Sequence, residues 1–257
     1  MLSLTLIPVM TDALFVLAGV FLLGVVTARR PQAVQDRVAS LIEAMSLEEK
    51  LTLLHGTEDP SGGEVGAGYI PGIPRLDIPP LRLTDGPAGI RSDEPATALP
   101  APIMLGATFD PDLARQFGQV LGREGRARGR DVLLAPMVNI ARVPQAGRNF
   151  ETFSEDPLLT SRLGAQEVKG IEGEGMIATT KHFLANNFEE DRDRVSVEID
   201  ERTLREVYFP AFRSAVEAGT GSIMAAYNRV NGTYACDNER LLNDLLKKEC
   251  GFEGWVM

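Results

Sequence analysis

Four short apolar runs in this sequence each end on side chains that carry charge or form hydrogen bonds. Leu81–Thr84 runs into Asp85-Gly86-Pro87, and Asp131–Val138 leads to Asn139 and then to Gly147-Arg148-Asn149-Phe150-Glu151. Met176–Thr180 ends in Lys181-His182-Phe183, and Ser222–Ala226 ends in Tyr227-Asn228. Gathered at one mouth, these ends offer a carboxylate, one or two guanidiniums, an ammonium, an imidazole and a phenol. Such a set suits a ligand dense in hydroxyl groups, because each hydroxyl both donates and accepts a hydrogen bond. Charged partners strengthen those bonds relative to neutral ones.

Each signal also has an ordinary explanation. Asp85 before Gly-Pro is a common turn former. Lys181-His182 can be a solvated strand end, and Arg148 near Glu151 a local ion pair of little energetic value. Asn231-Gly232-Thr233 matches a glycosylation sequon but reads first as a turn. Gly170-Ile171-Glu172-Gly173-Glu174-Gly175 lacks the dinucleotide spacing and reads as a helix C-terminus. What favours chemistry is the ordered placement of polar groups at successive strand ends.

The elements that must position these groups alternate along the chain. Strand candidates are Leu81–Thr84, Ile103–Thr108, Asp131–Val138, Met176–Lys181, Ser222–Tyr227 and Gly254–Met257. Longer amphipathic stretches lie between most of them: Asp110–Gly129, Asp156–Gly173, Glu201–Gly219 and Asn238–Cys250. Strand–helix alternation with short connections predicts parallel strands with crossover helices. The fold class expected is a (β/α)8 TIM-type barrel, incomplete at its C-terminal end with about six of eight strands. Upstream, Val34, Val38, Leu41, Ile42 and Met45 recur on one helix face, and Ser46 with Glu49 forms a capping box that opens a second helix. Residues 56–80, rich in Gly and Pro, are expected to be irregular.

Composition narrows the partners. The chain has 257 residues, 44% hydrophobic and 24% charged, with a net charge of −10. An acidic chain repels phosphate backbones and anionic headgroups, so no nucleic acid partner is expected. Two cysteines, Cys236 and Cys250, and two histidines, His55 and His182, give no disulfide framework and no His-rich metal site. No metal and no cofactor are expected. Residues 1–30 form a separate hydrophobic segment, and residues 31–257 the barrel domain. Ala13–Ala28 is uncharged and is followed by Arg29 and Arg30, with Asp12 the only charge before it. A secretory signal places its basic residues ahead of the apolar run, so the pattern admits an anchor, an atypical signal or a mis-called start. Membrane contact is expected only through residues 1–30, and location depends on which of these the segment is.

The motifs resemble those of family 3 glycoside hydrolases. Asp85-Gly86-Pro87-Ala88-Gly89-Ile90-Arg91 is similar to the family's Asp-Gly-Pro-x-Gly-Ile-Arg stretch. Gly147-Arg148-Asn149-Phe150-Glu151 with Phe153-Ser154-Glu155-Asp156-Pro157 resembles its next two motifs. Lys181-His182-Phe183 followed by Asn186-Asn187-Phe188-Glu189, and then Met224-Ala225-Ala226-Tyr227-Asn228, complete the series in family order. The N-acetylglucosaminidase branch's Lys-His-Phe-Pro-Gly-His-Gly run is absent, which favours the β-glucosidase and β-xylosidase branch.

The resemblance implies that Asp85, Arg91, Arg148, Lys181 and His182 bind the sugar hydroxyls of subsite −1. It implies that Met224 and Tyr227 line that subsite. The family follows Gly-Phe-x-Gly-x-Val-Met with Ser-Asp-Trp, whose Asp is the nucleophile. Here Gly251-Phe252-Glu253-Gly254-Trp255-Val256-Met257 is the end of the sequence. The nucleophile Asp and the acid Glu, the latter usually on a second α/β domain, are therefore expected beyond the chain end. The implied substrate is a β-linked oligosaccharide or glycoside, and the implied partner is that missing C-terminal domain, on the same or a separate chain. The alternatives are a non-catalytic remnant or the sugar-binding half of a split enzyme. A third reading, a barrel enzyme acting on a phosphorylated substrate, fits poorly with the acidic charge and the lack of a Gly-rich loop near a late strand.

Overall fold

The computed structural model describes residues 32–60 and 66–257. The reading of residues 1–30 as a separate hydrophobic segment lies outside them. The described chain divides into one unit ending at Ala44 and a second, Met45–Met257. In the first, the expected helix forms over Gln32–Ala44, with none of its residues buried. Among the described residues no helix is long and apolar enough to cross a membrane.

The second unit opens on the predicted capping box. The Glu49 backbone N–H donates to Ser46 Oγ at 3.2 Å, and the Ser46 N–H donates to Glu49 Oε2 at 2.8 Å, starting the helix Leu47–Thr52. Its strands in chain order are β1 (Gly68–Ile70), β2 (Leu81–Asp85), β3 (Val132–Leu134), β4 (Ile177–Phe183), β5 (Ser196–Val197), β6 (Ser222–Ala225), β7 (Arg229–Val230), β8 (Thr233–Tyr234) and β9 (Trp255–Val256). Six of them form one sheet in the order β1-β2-β3-β4-β6-β9, parallel throughout except for the antiparallel β1–β2 pair. The register pairs Asp85 with Leu134 and Lys181 with Met224, which aligns the polar strand ends.

Residues alternate across the sheet as the pleat requires. Leu133, Ala178 and Ile223 join the main core under the helices, whereas Leu83, Val132 and Leu134 form a second cluster with Ile70, Met224 and Trp255. Helices Pro111–Ala127 and Pro157–Gly173 cover the first face, each with proline at its start and an aspartate N-cap. Asp110 Oδ1 accepts from the N–H groups of Asp112 and Leu113, and Asp156 Oδ1 from that of Leu159. At the far end of the strands, Glu172 Oε1 accepts from the backbone N–H groups of Ala178 and Gly221, tying β4 to the entry of β6.

Three expectations change. Ile103–Thr108 is not a strand: Pro102–Gly106 is a short helix with Pro102 at its start. Five apolar residues are too few for periodicity to separate strand from helix, and here proline in the first turn with Met and Leu after it favours the helix. Residues 56–80 are less irregular than expected. β1 lies there and pairs with β2, and Pro74–Leu76 forms a 3-10 turn. The stretches Glu201–Gly219 and Asn238–Cys250 are helical but carry π windings at Leu204–Tyr208 and Arg240–Glu249. The Asn231-Gly232 turn joins β7 to β8, with φ of +49° and +87°, the left-handed pair that a tight hairpin needs.

Gly106 shows how closely this helix seats. A Cβ built there falls 1.8 Å from the backbone oxygen of Phe153. Gly106→Ala is expected to cost about 2–3 kcal/mol through forced backbone movement, a Tm drop of roughly 5–10 °C. Gly173→Ala meets nothing within 4 Å and is expected to hold Tm or raise it slightly. Thermal melts of both variants check the pair, and equal Tm values would contradict the close contact.

Candidate active site

The loop after β2 folds back on itself. The Arg91 N–H donates to the Asp85 carbonyl at 3.0 Å, and Thr84 Oγ1 donates to the Arg91 carbonyl at 2.6 Å. Gly86, at φ +150°, lets this loop close: a Cβ there would lie 2.2 Å from the Gly89 oxygen. The closure brings the Arg91 guanidinium 3.5 Å from Asp85 Oδ2. From the end of β4, Lys181 Nζ lies 3.6 Å from Asp85 Oδ1. Both contacts exceed ordinary hydrogen-bond length, so the carboxyl group keeps lone pairs for a ligand with two cations beside it. Lys181 is 3% exposed. Burial lowers its ammonium pKa, against the opposing pull of Asp85 and then Glu151.

Arg148 arrives from the long connection after β3. Its Nε and Nη2 donate to the two oxygens of Glu151 at 2.8 and 2.7 Å, a bidentate pair that raises the guanidinium pKa further. The pair is largely withdrawn from solvent, so the surface ion-pair reading of Arg148 and Glu151 understates it. The Arg148 Nη1 edge lies 3.5 Å from His182 Nε2 and 3.8 Å from Glu189 Oε1.

His182 is fixed by Asn139, at the end of the β3 run. Asn139 Nδ2 donates to the His182 carbonyl at 2.9 Å, and Asn139 Oδ1 accepts from the His182 N–H at 2.9 Å. These two bonds settle the amide orientation. The same oxygen lies 3.2 Å from His182 Nδ1, which assigns the ring proton to Nδ1 and leaves the Nε2 lone pair facing Arg148. Burial, then the cations Lys181, Arg148 and Arg192, pull the imidazole well below its usual pKa of 6.5. His182 is thus a neutral hydrogen-bonding group.

That neutrality has a consequence for stability. A histidine with a depressed folded pKa binds its proton more readily when unfolded, so stability is full above pH 6.5 and declines as pH falls below it. His182→Gln is expected to flatten this acid limb in urea midpoints taken from pH 7 to pH 5. An unchanged limb would mean that the ring protonates in place.

Tyr227 lies two residues past the end of β6 and is 53% exposed. Met224 sits on the apolar face of the sheet with Leu83, Leu134 and Trp255, one strand from Lys181. Asp85, Arg91, Lys181, Arg148 and His182 therefore form one contiguous polar cluster at the strand ends, with Met224 and Tyr227 on its β6 side. The sequence reading had not singled out Asn139 as the orienter of His182, nor Glu189 as a second carboxylate beside Arg148. The signal for Asn139 was its place at a strand end. For Glu189 it was the Asn186-Asn187-Phe188-Glu189 motif, quoted without a role. Among the described residues no three His, Cys, Asp or Glu side chains gather as a metal site. The arrangement presents an acceptor at Asp85 between donors at Arg91 and Lys181, and a second donor edge at Arg148.

The chain is similar to several known proteins. A beta-glucosidase of Rhizobium radiobacter is 41% identical over 227 residues, covering 86% of this chain and 27% of that protein. The crystal structure of DesR, a beta-glucosidase from Streptomyces venezuelae in complex with D-glucose, superposes with a TM-score of 0.84 at 51% identity. It covers 86% of this chain and 28% of its own. Beta-glucosidase 3B from Thermotoga neapolitana in complex with glucose gives a TM-score of 0.82 at 41% identity, over 86% of this chain and 33% of its own. The chain thus spans about a quarter to a third of the length of these relatives. The family model described as the glycosyl hydrolase family 3 N terminal domain matches residues 73–257, and the chain belongs to that family.

Proposed function

We propose that residues 31–257 are the sugar-binding part of a β-glucosidase that releases terminal β-linked glucose, or xylose, from oligosaccharides or glycosides. The observation that carries this reading is the Arg91–Asp85–Lys181 cluster, an acceptor flanked by two cations at 3.5 and 3.6 Å. A carboxylate beside a buried ammonium matches a pair of neighbouring sugar hydroxyls, one donating and one accepting. Two related structures, solved in complex with D-glucose and glucose, support this choice. In this reading the described strands are part of a (β/α)8 barrel completed by further sequence, and the partner is a C-terminal α/β domain. Asp85, Arg91, Arg148, Lys181 and His182 bind the hydroxyls, while Met224 and Tyr227 line the subsite.

The retaining mechanism belongs to the same reading. It needs two carboxyl groups about 5–5.5 Å apart, one attacking the anomeric carbon and one protonating the leaving oxygen. Asp85 is neither in this reading, because it lies between Arg91 and Lys181 as a hydrogen-bond acceptor. Residues 1–257 by themselves are therefore expected to bind sugar without cleaving it. Incubation with chromogenic aryl β-glucoside and β-xyloside should give no turnover above buffer. A rate within tenfold of an intact relative would refute the assignment of the missing pair.

A further inference from the structure

We propose that Arg192 is a positioning residue of the sugar site, holding the Tyr227 ring in place and tying it to the hydroxyl-binding Arg148 through Glu189. This rests on the function proposed above and adds a part of the site that the motif residues do not include.

Three contacts carry it. The Arg192 guanidinium carbon lies 4.8 Å from the centroid of the Tyr227 ring, within cation–π range. Arg192 Nη1 donates to Glu189 Oε2 at 2.7 Å. The other oxygen of Glu189 is 3.8 Å from Arg148 Nη1. Arg192 sits in the connection after β4, Tyr227 after β6 and Arg148 after β3, so the chain of contacts crosses three strand ends.

Tyr227 needs such a hold. Its ring is half exposed, and among the described residues its hydroxyl has no hydrogen-bond partner in the protein. A tyrosine anchored only by its backbone would sample several rotamers and lose entropy on meeting a ligand. A cation over its face, itself locked by a carboxylate, reduces that cost before the sugar arrives. Lysine can supply the cation but not the planar fork, so Arg192→Lys should retain part of the effect. Arg194, two residues on, is exposed and in no such contact, which makes it the control for charge alone.

Two measurements on the 257-residue chain test the proposal. In NMR spectra the Arg192 Nε–Hε resonance is expected upfield of its free position through the Tyr227 ring current, returning in Tyr227→Leu. A resonance already at the free position in the unmodified chain would overturn the contact. Calorimetric titration with glucose is expected to show roughly tenfold weaker binding for Arg192→Gln, a smaller loss for Arg192→Lys and none for Arg194→Gln. On a Tyr227→Leu background Arg192→Gln should add no further loss. Additive losses, or an equal loss from Arg194→Gln, would overturn positioning in favour of a general charge effect. Failure of the unmodified chain to bind glucose would instead sink the parent reading of the site, and the role of Arg192 with it.

Discussion

Lys181→Ala is expected to lower kcat/KM strongly, roughly 30- to 1,000-fold, in a version extended to the length of the relatives. The range is that of a charge-assisted hydrogen bond which tightens in the transition state, about 2–4 kcal/mol. Arg148→Ala should fall in the same range, because its Nη1 edge, beside His182, is not part of the Glu151 fork that holds it. The fold should survive the first change well. Lys181 is buried at a cost that already lowers its ammonium pKa, and its loss leaves Asp85 paired with Arg91. Removing Lys181 should therefore separate function from stability, with activity lost and Tm kept. Lys169→Ala, an exposed change on helix Pro157–Gly173, should alter neither. Equal losses from Lys169 and Lys181 would show that the strand ends had been misassigned.

Glu167→Gln is expected to give the largest change in stability. Glu167 is 1% exposed, and neither carboxyl oxygen has a hydrogen-bond partner. Its backbone packs against Gly118, where a Cβ would come within 2.3 Å of the Glu167 oxygen. Burial pushes the carboxyl pKa from 4.5 up to about 8. The folded chain thus keeps a proton that the unfolded chain gives up above pH 4.5, so stability falls as pH rises from 4.5 and levels off beyond about 8. A shift of that size corresponds to an upper bound of about 5 kcal/mol, at 1.36 kcal/mol per unit. Local hydration reduces it, and roughly 2–4 kcal/mol is the expected gain for Glu167→Gln at pH 8. At pH 5 the two proteins should differ little, since a protonated carboxyl and an amide are both neutral. Urea midpoints at pH 5 and pH 8 read this directly. Parallel midpoints would mean that the buried carboxyl ionises in the folded chain near its ordinary pKa, with a partner or water to receive the charge.

The polar strand ends were more legible in the sequence than the short elements of the fold. Asp85, Lys181, His182 and Tyr227 were legible because apolar strands end abruptly on polar groups, and a parallel sheet gathers such ends on one side. The long helices were legible from their spacing: Ala114, Phe117, Gly118, Leu121, Gly122 and Gly125 fall on one face of Pro111–Ala127 and are all buried. Pro102–Gly106 and Gly68–Ile70 were not, because five and three residues carry no period, and tertiary contacts with Phe153 and β2 decide them. Arg192 was invisible for another reason. Nothing in the spacing of residues 189–194 says that the Tyr227 ring, from a later strand end, lies beneath Arg192. Glu167 was hidden similarly, since a glutamate in an amphipathic helix ordinarily faces water.

Saturation-transfer NMR of the 257-residue chain with an aryl β-glucoside tests the central claim most directly, because one spectrum reports both contact and cleavage. Saturation should transfer to the glucosyl ring protons and disappear in Lys181→Ala, while no free glucose accumulates. Absence of transfer to the sugar, or release of glucose by the chain alone, would contradict the view that these residues hold the sugar and leave its hydrolysis to others.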